Sequence, residues 1–86
     1  MIKRYIVRGH SMEPFFKEGD RLLIFSKFFR IGAGDVIVFR EGNTDFLKRV
    51  VSIDDGKYSA LGDNEGHGKK FVVERKNIIG KYWRKY

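Results

Sequence analysis

Short runs of β-branched and aromatic residues alternate with polar residues along the whole chain, and clusters of Gly, Asp and Asn separate these runs. The alternation has the two-residue period of β-strands, and no segment shows a long stripe with the 3.6-residue period of an amphipathic helix. The pattern predicts seven strands, at residues 3–8, 20–25, 35–40, 45–53, 57–61, 70–74 and 79–84.

Glycine-containing turns separate the predicted strands. Residues 41–44 and 54–56 have the length and composition of hairpin turns, so consecutive strands are expected to pair antiparallel. Seven short strands in 86 residues indicate an all-β fold, a small coiled antiparallel sheet or barrel, because such a shape reduces exposed strand edges. We expect residues 1–86 to form a single domain.

The composition narrows the possible functions. Hydrophobic residues make up 42% of the chain, which is enough for a folded core, and the absence of cysteine excludes disulfides and thiolate metal sites. With only two histidines, neither a metal nor another cofactor is expected. The apolar runs are far shorter than a membrane span or a signal-peptide core. A net charge of +7 favours anionic partners, or it reflects only a solvated lysine-rich surface.

One serine lies in a tight turn at the end of the first predicted strand. Pro14 disfavours helix at Glu13, and Gly9 lets the backbone bend sharply before Ser11. A serine hydroxyl becomes a nucleophile only when a neighbouring base removes its proton. Ser11 is therefore a candidate nucleophile if a base lies beside it, and otherwise an ordinary loop serine.

One lysine lies within an apolar strand. Alternation places Lys48 on the same face as Phe46 and Val50, with Leu47 and Arg49 on the opposite face. If Lys48 is buried, its pKa falls and its amine can act as a base. The alternative is that Lys48 reaches water from an edge strand.

A polar, glycine-rich segment follows the fifth predicted strand. Within it, Asp63 and Asn64, which come directly after Gly62, can hydrogen-bond neighbouring backbone and brace a site, or they form only a turn.

In their order along the chain, these segments resemble the catalytic domain of the type I signal peptidases. The matching segments are Ser11-Met12-Glu13-Pro14 followed by Gly19-Asp20, then Gly34-Asp35 with its apolar strand, then Lys48-Arg49-Val50, and then Gly62-Asp63-Asn64. The resemblance implies an all-β serine endopeptidase in which Ser11 is the nucleophile and Lys48 the general base. It also implies that the catalytic domain removes an N-terminal signal or pro-segment from a precursor protein, without metal or cofactor.

The resemblance assigns supporting roles to further residues. Backbone N–H groups around Ser11 would hold the oxyanion, with Gly9, His10 and Met12 forming the supporting loop. The precursor would bind as an added extended strand. The residues expected to line its groove are Tyr5, Ile6, Val7, Phe46 and Leu47.

Two departures from the family pattern leave alternatives open. The loop after Asn64 is short and lacks the serine that orients the lysine in many relatives, so His67 could replace that partner, or the chain is an inactive peptide-binding relative. No membrane anchor precedes the serine segment. We therefore expect peripheral membrane association through aromatic side chains, or else a soluble cytoplasmic protease resembling those that mature nickel superoxide dismutase. The aromatic candidates are Phe15, Phe16, Phe28 and Phe29.

A rival of another class is a nucleic-acid-binding barrel. It would use Lys and Arg for phosphates and the rings of Tyr82, Trp83 and Tyr86 for stacking. The order of the matching segments favours the protease, so nucleic acid is not expected as a partner.

Overall fold

A computed structural model describes residues 1–64 and 68–86, which form a single antiparallel sheet. The strands are β1 (Ile2–Ile6), β2 (Arg21–Phe25), β3 (Val36–Glu41), β4 (Thr44–Asp54), β5 (Lys57–Leu61), β6 (Phe71–Glu74) and β7 (Ile78–Lys85). A 3-10 turn, Arg75–Asn77, connects β6 to β7. The all-β prediction is confirmed, and the predicted strand boundaries agree with the structure to about two residues.

The strand order across the sheet is β1-β2-β7-β3-β4-β5-β6. The neighbours β3–β4, β4–β5 and β5–β6 are hairpin partners, as the turn residues predict. The last strand is different, because β7 inserts between β2 and β3 and joins the two halves of the sheet. The strands β1 and β6 form the two edges.

The apolar residues divide into two clusters because β3 is apolar on both faces. Val36 and Val38 belong to the first cluster, whereas Ile37 and Phe39 belong to the second. The first cluster also contains Val7, Met12, Phe16, Leu22, Ile24 and Leu47. The second also contains Val50, Ala60, Phe71, Val73 and Ile78.

Strand β4 contributes to both clusters. Phe46 and Val50 pack with the second cluster and Leu47 with the first, so the predicted alternation is confirmed here. Lys48 lies between Phe46 and Val50 in this alternation, on a central strand bordered by β3 and β5. Its position in the sheet is therefore interior, and the edge-strand alternative for this lysine is wrong.

Within the described residues, no helix is long and apolar enough to cross a bilayer.

Candidate active site

The structure brings Ser11 and Lys48 together across 37 residues of sequence. The Lys48 Nζ donates a hydrogen bond to the Ser11 Oγ over 2.5 Å. Ser11 lies in the turn after β1, and Lys48 in the middle of β4. A serine hydroxyl in direct contact with an amine is the geometry that proton transfer between them requires.

The surroundings of Lys48 favour its neutral form. The residue is 7% exposed, and its Nζ lies 5.8 Å from the centroid of the Phe71 ring. Among the described residues it forms no ion pair with a carboxylate. Burial lowers the pKa of the Lys48 ammonium below its ordinary value, because the charged form loses hydration without gaining a counter-ion.

The turn that presents Ser11 is anchored by the core. Met12 is 2% exposed and Phe16 4% exposed, and both pack in the first cluster. The Phe16 N–H donates to the Met12 carbonyl over 3.0 Å, and Gly9 enters the turn with a φ of +78°. Ser11 is thus held between a flexible glycine and a buried methionine, which fixes the direction of its side chain.

The Gly62–Asn64 segment contacts the backbone of this turn. The Asn64 N–H donates to the Ser11 carbonyl over 2.8 Å, and its Nδ2 donates to the His10 carbonyl over 2.9 Å. A Cβ at Gly62 would lie 2.6 Å from the Ser11 carbonyl oxygen, so only glycine fits here. These contacts are bracing contacts, and they turn the carbonyls of the serine turn away from the Oγ side.

The role of Arg49 was missed by the sequence reasoning. Its Nε and Nη2 donate to the two carboxylate oxygens of Asp63, each over 2.9 Å, and its Nη1 donates to the Gly34 carbonyl over 2.7 Å. Asp63 is only 11% exposed. Because Arg49 follows Lys48 on β4, the pair ties the strand of the lysine to the loop that braces the serine. The signal in the sequence was the position of Arg49 on the face opposite Lys48, next to an unassigned Asp63.

Polar contacts separate the groups around Ser11. The His10 Nδ1 lies 2.7 Å from Glu13 Oε2, and this hydrogen bond raises the pKa of the exposed His10 ring. The Gly9 N–H donates to Glu18 Oε2 over 3.1 Å. Within the described residues the Ser11 N–H donates no hydrogen bond. Of these backbone donors, the one at Ser11 is therefore available for an incoming oxygen.

A cleft of about 310 Å³ lies over Ser11 and Lys48, between the end of β1 and the start of β4. We call it the serine–lysine cleft. It is lined by Tyr5, Val7, Arg8, Gly9, His10, Ser11, Met12, Asp45, Phe46, Leu47 and Lys48. Of the residues predicted for the groove, Ile6 does not line it and is 52% exposed. The reason is alternation along β1, because the side chain of Ile6 lies on the face opposite that of Tyr5.

The remaining predicted residues are distributed over the surface and the core. Phe16 is a core residue and Phe29 packs against the second cluster, whereas Phe15 is 61% and Phe28 is 99% exposed. Phe16 therefore cannot serve as a membrane contact. His67, the predicted substitute for an orienting serine, lies outside the described residues.

Comparison with known proteins agrees with this geometry. Residues 4–83 match the family described as Peptidase S24-like. Signal peptidase IB of Staphylococcus aureus strain COL is 30% identical, over 73% of this chain and 35% of the relative, and the same values hold for the protein of strain N315. The chain therefore spans about a third of the length of these relatives. The match to the family covers nearly all of the sheet and the whole serine–lysine cleft, and the resemblance to signal peptidases is confirmed. The chain belongs to the Peptidase S24-like family.

Proposed function

We propose that the chain is a serine endopeptidase in which Ser11 and Lys48 form the catalytic dyad, and that it removes an N-terminal signal or pro-segment from a precursor protein. The observation that carries this proposal is the hydrogen bond between the buried Lys48 Nζ and the Ser11 Oγ. Family membership supports a peptidase-type function.

The mechanism follows from the contacts around the dyad. Neutral Lys48 accepts the Ser11 proton as the Oγ attacks the peptide carbonyl carbon, and the resulting ammonium then protonates the leaving amine. The oxyanion is stabilised by the Ser11 N–H, since Glu18 already accepts from the Gly9 N–H. Water then hydrolyses the acyl-enzyme with Lys48 again acting as base. The reaction needs neither metal nor cofactor.

The substrate binds as an extended strand in the serine–lysine cleft. The edge strand β1 has no partner on one side, and its end lines the cleft together with residues 45–48 of β4. Val7, Met12 and Leu47 give the cleft an apolar wall. A peptide with small side chains at the scissile position would bring its carbonyl close to Ser11.

The decisive experiment is peptide cleavage by three chains with matched controls. A library of peptides rich in small residues is offered to the native chain, to Ser11→Ala and to Lys48→Ala, with Ser52→Ala and Lys57→Ala as exposed serine and lysine controls. We expect activity in the native chain and the controls, and its near-complete loss in both dyad variants. Full activity in either dyad variant would refute the mechanism. A folded native chain that binds these peptides without cleaving them would identify an inactive peptide-binding relative.

Membrane association is a separate part of the proposal. Phe28 is 99% exposed between Lys27 and Phe29, and Phe15 is 61% exposed, a combination suited to the interface of an anionic bilayer. Sedimentation with vesicles of anionic lipid should decrease for Phe28→Ser combined with Phe15→Ser. Equal sedimentation of native and variant chains would favour the alternative, a soluble protease dedicated to one precursor.

A further inference from the structure

A second, larger cavity adjoins the serine–lysine cleft. It has a volume of about 640 Å³, and we call it the distal cavity. Its floor includes Ile24, Val38 and Ile79 of the first cluster. Tyr5 and Asp45 line both the distal cavity and the serine–lysine cleft. The two spaces therefore meet at these side chains, and an extended peptide leaving the cleft along β1 enters the distal cavity.

The carboxylate at this junction is neutralised. The Arg40 Nε donates to Asp45 Oδ1 over 2.7 Å, and Nη2 donates to Oδ2 over 3.2 Å. The hydrogen bond from Arg40 holds the pKa of Asp45 below its ordinary value, so the pair remains an ion pair near neutral pH. A negatively charged peptide passing the junction meets a closed ion pair, and an isolated carboxylate is absent at this point.

The charged side chains around the two joined cavities are mostly cationic. They are Lys3, Arg4, Arg8, Arg40, Lys48 and Lys76, against the acidic Glu41 and Asp45. This excess of four positive charges is more than half of the net charge of +7 of the whole chain.

Two of these cations are free to bind an anion. Lys3 lines the distal cavity and Arg8 the serine–lysine cleft, and neither forms an ion pair among the described residues. Arg4 is different, because its guanidinium lies 5.8 Å from the Tyr86 ring centroid. Lys3 and Tyr5 share a face of β1, so Lys3 lies on the path of a peptide that passes the junction.

We propose that the joined cavities select precursors whose cleaved segment carries acidic residues on the flank of the scissile residue that lies along β1. Lys3 and Arg8 are the specificity-determining residues, and the apolar floor holds the aliphatic parts of the same segment. This inference rests on the proposed endopeptidase function and names its substrate class.

The test compares fluorogenic peptides that share a small-residue cleavage site and differ in charge. Each carries Glu residues or isosteric Gln residues on one flank or the other. For one flank, we expect the native chain to cleave the Glu peptide with a kcat/KM about three- to tenfold above that of the Gln peptide. The preference should weaken in about 0.5 M salt, because the cations are partly solvated.

Charge variants identify the source of the preference. In Lys3→Gln combined with Arg8→Gln, the ratio of the Glu and Gln values should approach one. The control is Lys57→Gln combined with Lys27→Gln, which removes the same charge from residues that line neither cavity and should keep the native ratio. A ratio that decreases equally in both double variants would show attraction to the overall charge alone and overturn the proposal.

A binding measurement separates this inference from the proposed chemistry. Fluorescence anisotropy reports the affinity of the same labelled peptides for Ser11→Ala, which does not depend on cleavage. Tighter binding of the Glu peptide without any cleavage by the native chain would support acidic recognition and refute the endopeptidase. Cleavage with equal kcat/KM and equal affinity for Glu and Gln peptides on both flanks would refute acidic recognition and leave the endopeptidase intact.

Discussion

Replacing Arg49 by Met tests whether the ion pair with Asp63 holds the site together. Methionine keeps the apolar part of the side chain but removes three hydrogen bonds, two to Asp63 and one to the Gly34 carbonyl. The Asp63 side chain, 11% exposed, then keeps its charge without a partner. Removing one member of a buried ion pair costs about 3–5 kcal/mol, and Arg49 is 31% exposed. We therefore expect a loss of about 2–3 kcal/mol.

The control uses the second bidentate pair of the chain. Arg40 and Asp45 have similar hydrogen-bond geometry, but their side chains are 60% and 33% exposed. Arg40→Met should therefore change stability far less, because water replaces the lost contacts. Urea unfolding followed by circular dichroism gives the free energy of unfolding of both variants.

The Arg49 variant should also lose activity in excess of its unfolded fraction. Asp63 lies next to Asn64, whose N–H and Nδ2 hold the carbonyls of Ser11 and His10. A loosened loop would let Ser11 move away from the Lys48 Nζ, and small displacements of reacting groups have large effects on rate. Equal losses of stability in Arg49→Met and Arg40→Met would refute the reasoning, because burial would then make no difference.

Three further predictions concern the same site. Lys48→Met should change how stability depends on pH: burial lowers the folded pKa of Lys48 below the 10.5 of a free lysine, so the unfolded native chain binds more protons between the two values and stability rises with pH in that window. Unfolding curves across that range should show the rise in the native chain and its absence in Lys48→Met; parallel curves would contradict the lowered pKa. Cleavage by the native chain should rise with pH as Lys48 loses its proton, and Ser11→Ala, Lys48→Ala and the double variant should have equal residual rates, whereas multiplied losses would show independent action. Gly62→Ala should destabilise the chain by about 1–3 kcal/mol, since its Cβ would meet the Ser11 carbonyl at 2.6 Å, whereas Gly32→Ala, where the nearest atom is a flexible carboxylate oxygen at 3.9 Å, should differ little in thermal unfolding.

The sequence alone determined the class of fold and the identity of the reactive pair. Strand periods and hairpin turns are local properties, so β3, β4, β5 and β6 and their pairing could be read directly from the order of residues. The alternation along β4 correctly placed Lys48 beside Phe46 and Val50. Ser11 was found from the glycine and proline around it, together with the order of the family-like segments.

Only the tertiary structure decided the contacts between residues distant in sequence. The insertion of β7 between β2 and β3 is a long-range pairing with no local signal, and it makes β4 a central strand in which Lys48 is buried. The same holds for the contact of Arg49 with Asp63, because an isolated arginine and aspartate carry no information about the distance between them.

Exposure was also decided by packing. Phe15 and Phe16 are adjacent and chemically identical, but the turn directs Phe16 into the first cluster and leaves Phe15 at the surface. Ile6 and Tyr5 are divided in the same way by the alternation of β1 once the position of the cleft is known. A sequence pattern gives the direction of each side chain relative to its own strand, whereas the other strands determine what that side chain contacts.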